Sequence, residues 1–226
     1  MAISIFTPLI MRGLRQARRK PLAEHPPTKH HYLMHRFGEL TIIVLGEFFI
    51  KLITDSAGRE LVAANFFIGA CLLGISVSIW WLYFDHLGHA SLIAPGSHIG
   101  FWAYNHYPLL AAITAYGVVG TKVFAATPGE VLADEKRYLL CFALAVVVLT
   151  LGVIEWASRE KEGPMARQPQ LWGRAISAAV LVGLAFVGSQ LAVEVFTTLV
   201  VLVLLTQVGI DIYTRRRTVT PRAVTA

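Results

Sequence analysis

Glu47 and Lys51 stand four residues apart inside HRFGELTIIVLGEFFIK, residues 35–51, an otherwise apolar run. A carboxylate and an ammonium are expensive to keep in a membrane helix, and such groups often mark ion or proton pathways. With Glu on the amino side, the two also have the favoured orientation of a helical ion pair. Two readings stay open. In one, the charges neutralise each other, or Lys51 reaches out to the interface while Glu47 bonds a neighbouring helix. In the other, Glu47 is an ion- or proton-binding carboxylate in the interior of a bundle.

His106 is the best partner for such a carboxylate. It lies in the aromatic and polar stretch Tyr104, Asn105, His106, Tyr107, Pro108. Imidazole titrates in the useful range and can relay a proton or bind a cation or haem, although a buried, hydrogen-bonded structural histidine fits equally well. Pro108 lacks an N–H and frees the Tyr104 carbonyl to face a cavity or ligand. Asp85, His86 and His89 form an Asp-His-x-x-His group that offers metal ligands, with an interfacial polar cap as the plainer reading. A second histidine cluster, His30, His31 and His35, fits headgroup-level residues better than a metal site. Haem held by paired histidines is a further alternative, but no c-type attachment motif is present. Glycine-rich phosphate loops and serine-nucleophile motifs are also absent. The pattern leans away from an enzyme, and it names no cofactor.

The elements that must position these residues are membrane helices. The chain has 226 residues, of which 55% are hydrophobic and 15% charged, with mean hydropathy +0.59. A soluble domain carries about 25% charged residues, so lipid is the expected solvent. Six apolar segments are readable, near residues 39–54, 61–84, 99–125, 138–156, 174–189 and 191–213. Each approaches the roughly 20 residues that cross a bilayer. The last two are joined by a short turn around Gly188, Ser189 and Gln190. A single helix over both would overrun a bilayer about 30 Å thick. The fold class expected is all-α, an integral membrane bundle of about six transmembrane helices. It comprises a basic lead-in over residues 1–36, a six-helix transmembrane domain over 37–213 and a basic tail over 214–226. Residues 1–11 read as an interfacial amphipathic anchor or a frayed terminus. Cys71 and Cys141 fall at helix depth and read as small core hydrophobes.

The net charge of +6 gathers at the termini and at the loop after the fourth segment. Arg12, Arg15, Arg18, Arg19, Lys20, Lys29 and Arg36 precede the first span. Arg159, Lys161 and Arg167 follow the fourth, and Arg215, Arg216, Arg217 and Arg222 follow the sixth. Basic residues favour the cytoplasmic side, so both termini are expected inside a bacterial inner membrane, against anionic lipids. The partners expected are the lipid bilayer, those anionic headgroups, and either further copies of the chain or another membrane subunit. Nucleic acid is not expected, because no folded basic face with interleaved aromatics is present.

Three stretches, in order, resemble one bacterial family. RFGELTIIVLGE at 36–47 is similar to the signature of the low temperature requirement protein A family. WWLYFD at 80–85 and YNHYPLL at 104–110, with Gly120 beyond, look like further family elements. The resemblance covers about residues 32–125. Tyr32, His35 and Glu39 depart from the signature, while Gly46 and Glu47 keep it. Family members are generally longer, with an acidic-aromatic motif ahead of the signature, so the chain resembles their second part. The resemblance implies a multispanning membrane protein tied by name to growth in the cold, and no activity. Taken with the residues, it leads to an expected role in transport of a small ion, proton or solute through a polar cavity lined by Glu47, Asp85 and His106. A metal- or haem-binding redox protein and a structural subunit of a larger complex are the alternatives.

Overall fold

The computed structural model describes residues 28–57, 62–87, 96–158 and 164–219. The expected amino-terminal anchor, most of the basic lead-in, His89 and the end of the tail lie outside these residues. The described chain is helical almost throughout, in six long helices: α1 (Thr28–Ser56), α2 (Ala63–Leu87), α3 (Gly96–Phe124), α4 (Asp134–Ser158), α5 (Pro164–Val187) and α6 (Val193–Val219). A 3-10 turn, Gly188–Gln190, joins α5 to α6. The expected all-α bundle and the α5–α6 hairpin both form.

Five helices, α2 to α6, are long and apolar enough to cross a membrane. In α1, Glu39, Glu47 and Lys51 interrupt the apolar stretch. The helices also outrun the segments expected from composition. Among the described residues α1 already runs from Thr28, and α5 from Pro164 instead of near Arg174. Helical hydrogen bonds continue into the polar interface, where apolarity no longer marks the helix, and proline is well placed in a first turn.

Each helix turns one stripe inward at three- and four-residue spacing. α1 buries Thr41, Leu45, Phe48 and Leu52; α2 buries Ile68, Leu72, Ile75, Ile79 and Leu82; α3 buries Trp102, His106, Leu109, Ile113 and Tyr116. Around the bundle the strongest neighbours run α1, α3, α4, α5, α6, α2, and α2 also touches α1, α3 and α4. Lipid gives apolar helices no hydrophobic reason to associate, so tight packing and interhelical hydrogen bonds hold them. Tyr116 donates to the Leu72 carbonyl at 2.6 Å and meets Ser76 Oγ at 3.1 Å, tying α3 to α2. Asn105 Nδ2 donates to the Thr150 carbonyl at 2.8 Å, tying α3 to α4.

The helices alternate in direction, so the start of α1 and the end of α6 lie at the same end of the bundle. At this terminal end every helix presents an exposed tyrosine or tryptophan: Tyr32, Trp80 and Trp81, Tyr104, Trp156, Trp172 and Tyr213. Such rings settle at the membrane–water boundary. α1 shares the belt with the five apolar helices.

The opposite end is closed by loops. Arg137, buried in the first turn of α4, donates from Nε to the Ala185 carbonyl at 2.7 Å, near the end of α5. Its Nη2 pairs with Asp134 at 2.8 Å. A cation at a helix carboxyl end answers the partial negative charge there. The α4-leading loop then pairs with the α5–α6 turn. Val193 N–H donates to the Glu130 carbonyl at 2.9 Å, and the Gly129 N–H, at φ +79°, donates to Glu194 at 2.8 Å.

Candidate functional site

Three polar stations on α5 face three on α6 near the terminal end. Gln170, Arg174 and Ser177 recur at four- and three-residue spacing, and so do Thr214, Asp211 and Gln207 running the other way. The antiparallel hairpin brings them together as rungs. Gln170 Nε2 donates to Thr214 Oγ1 at 2.9 Å, and Ser177 Oγ donates to Gln207 Oε1 at 3.0 Å. Between them Arg174 reaches both sides. Its Nε and Nη2 bond Glu155 Oε2 of α4 at 3.0 and 2.9 Å, and Nη2 bonds Asp211 Oδ2 of α6 at 3.3 Å. Arg174, Glu155 and Asp211 are 2%, 3% and 1% exposed. One guanidinium therefore joins three helices in the interior.

The local sequence makes room for it. A Cβ at Gly152 of α4 would come within 3.0 Å of Arg174 Cδ, so the glycine leaves the channel in which the aliphatic stem lies. Trp156, Trp172 and Tyr213 adjoin the three charges in sequence and face outward. The cluster thus sits at the depth of the aromatic belt, inside the bundle. The Ser177–Gln207 rung lies deeper, and beyond it the seam turns apolar with Leu181, Leu204, Ala185 and Val200, all buried. Arg174 Nη1 and Gln207 Nε2 are buried donors with no acceptor in the protein among the described residues.

His106 occupies a second buried position at the same end, between α1, α2 and α3. The Trp102 carbonyl can only accept, so Nδ1 carries the proton and donates to it at 2.9 Å. Nε2 then accepts from the Tyr83 hydroxyl at 3.2 Å. The rings of Phe37 and Trp102 lie 4.4 and 4.3 Å from the imidazole. Both ring nitrogens are engaged, which is the arrangement of a positioned, neutral histidine. Tyr83→Phe removes the donor to Nε2 and leaves a buried acceptor unsatisfied. It is expected to lower stability by about 1–3 kcal/mol, read as a lower melting temperature of tryptophan fluorescence in detergent. An unchanged melting temperature would refute that role.

The residues singled out from sequence do not converge on one cavity. Glu47 and Lys51 lie on the outer face of α1, exposed, and form no ion pair among the described residues. Their neighbour Phe48 packs on Gly117, Gly120 and Tyr116, far along α3 from His106. Asp85 is half-buried at the end of α2, and Tyr104 is 73% exposed in the belt. His86 is in the last turn of α2, with a side chain outside the description. Among the described residues no group of three or more His, Cys, Asp or Glu is placed to hold a metal ion.

Sequence reading missed Arg174, Asp211 and Gln207 because each sits near a span end, where a polar residue reads as interfacial. The available signal was the pairing of two polar stripes at matching ends of a hairpin, Gln170–Arg174–Ser177 and Gln207–Asp211–Thr214.

A family model described as bacterial low temperature requirement A protein (LtrA) matches residues 2–208. That span takes in α1 to α5, most of α6, and both Glu155 and Arg174. Neither a curated protein nor a solved structure matches the chain.

Proposed function

The chain belongs to the bacterial low temperature requirement A family, and from that premise we propose that it passes a small ion or polar solute across a bacterial inner membrane along the seam between α4, α5 and α6. The observation that carries this reading is Arg174, buried between the carboxylates of Glu155 and Asp211 in a multispanning membrane bundle. Ionisable groups held inside such bundles mark solute and proton routes. A route across a membrane needs an element that exchanges partners, and the Arg174 ion pairs are the candidate for it.

The donors at Arg174 Nη1 and Gln207 Nε2 favour a solute that offers an oxygen acceptor, or water that carries a proton. Ser177 and Gln207 form the deeper polar step, and the apolar seam beyond them resists leakage. His106 and Asp85 lie at the same end of the bundle, outside this seam. The basic residues at both termini favour a cytoplasmic position for that end. The family is named for a requirement at low temperature.

Purified protein in liposomes tests the reading, with a pH-sensitive dye for protons and tracer uptake for ions and small polar solutes. Flux above that of empty liposomes is expected for at least one, and Gln207→Leu is expected to reduce it by up to about tenfold, the scale of one lost neutral hydrogen bond. No flux for any solute, or equal flux in Gln207→Leu, would overturn it.

A further inference from the structure

We propose that the outer face of α1 is a two-fold interface with a second copy of this chain, closed by reciprocal Glu47–Lys51 ion pairs. α1 carries two stripes at three- and four-residue spacing. The inner one, Thr41, Leu45, Phe48 and Leu52, is buried within the chain. The outer one, Leu40, Ile43, Glu47, Ile50 and Thr54, is exposed, with Ile43 at 65% and Ile50 at 61%. Lipid asks for an apolar outer face on every helix of the bundle, so what sets this face apart is Glu47 within the stripe and Lys51 beside it.

Depth makes the outer charges costly. At about 1.5 Å per residue, Glu47 lies roughly 22 Å along α1 from Tyr32 in the aromatic belt. In a hydrocarbon layer about 30 Å thick, that is inside the layer, about one and a half turns short of the far interface. Lys51 stands one turn nearer that interface. Neither side chain has a hydrogen bond or ion pair in the protein among the described residues. On the same helix His35, Arg36 and Glu39 pair among themselves two turns before Glu47, and Asp55 stands exposed one turn beyond Lys51.

Charge complementarity selects the occupant. A foreign helix would have to carry a cation and an anion in matching order. A second copy carries both by construction, since an isologous contact sets Glu47 of each protomer against Lys51 of the other. The pairs then answer the excess charge that sets α1 apart from the five apolar helices. This inference is independent of transport.

The test uses two full-length variants with different tags. Glu47→Lys leaves two cations on the face and no ion pair within the helix; Lys51→Glu leaves two anions. Native mass spectrometry from detergent is expected to give a dimer for the native chain and monomers for each variant alone. Co-expression of the two variants is expected to restore a mixed dimer. Oxidation of Ile50→Cys in native membranes is expected to give a disulfide-linked dimer, while Ile176→Cys on the outer face of α5 does not; Cys71 and Cys141 are buried and do not compete. The cross-link holds the proposal to account even where a charge reversal impairs folding. A monomeric native chain, self-association of either variant at the native level, failure of the mixed pair, equal cross-linking at position 176, or a different protein recovered at position 50 would overturn it.

Discussion

Arg174→Met is expected to cost the fold about 3–5 kcal/mol, because it removes the guanidinium that pairs with the buried carboxylates of Glu155 and Asp211. The loss is expected to appear as a large drop in the melting temperature of tryptophan fluorescence in detergent. Arg174→Lys is expected to fall between the two. An ammonium keeps the charge but loses the fork that bonds Glu155 through Nε and Nη2 while reaching Asp211. The triple variant Glu155→Gln, Arg174→Met, Asp211→Asn is expected to recover much of the stability. Burying no charge is often as favourable as burying a matched set. A single variant that melts like the native chain would remove the cluster from the structural account.

This comparison also separates two roles for Arg174. If the cluster only holds α4, α5 and α6 together, the triple variant regains both stability and flux. If it is part of the route, stability returns and flux does not.

The framework was readable from composition because lipid imposes simple rules. A span is about 20 apolar residues, and α2 to α6 each show one. The α5–α6 turn followed from the same length argument. Helix ends were less readable, since α1 and α5 run on into polar sequence where only the hydrogen-bond ladder defines them. The site was the least readable part. Glu47 stands out in a linear sequence because it interrupts an apolar run. Yet the direction of its side chain depends on the stripe that holds Thr41, Leu45 and Phe48 inward, and Glu47 falls on the other side. Arg174 is inconspicuous beside Trp172, and its burial appears only when Asp211, thirty-seven residues on, meets it across the hairpin. A polar residue's role here is set by rotation about the helix axis, which composition does not record.

That rotation depends on one tight contact in α1, and Gly120→Leu is expected to break it. A Cβ at Gly120 of α3 would lie 2.7 Å from Phe48 Cε2 and 3.1 Å from Cζ, closer than a ring can tolerate. Phe48 is 2% exposed and also packs on Tyr116, with ring centroids 5.1 Å apart. Its ring is fixed on both sides and cannot simply swing away. Overpacking of this kind costs about 1–3 kcal/mol or more. Phe48→Ala alone leaves a cavity against α3 and is expected to cost about 3–5 kcal/mol. Gly120→Leu combined with Phe48→Ala returns most of the volume to the same gap and is expected to be more stable than Phe48→Ala. That is a favourable coupling of the sort that neighbouring sites give. Strictly additive losses would mean that α1 is not seated on Gly120. Because α1 is the helix least able to enter lipid on its apolarity alone, its seat on α3 also sets which way Glu47 and Lys51 point. Gly120→Leu is therefore expected to abolish the Ile50→Cys cross-link, and Gly120→Leu with Phe48→Ala to restore it.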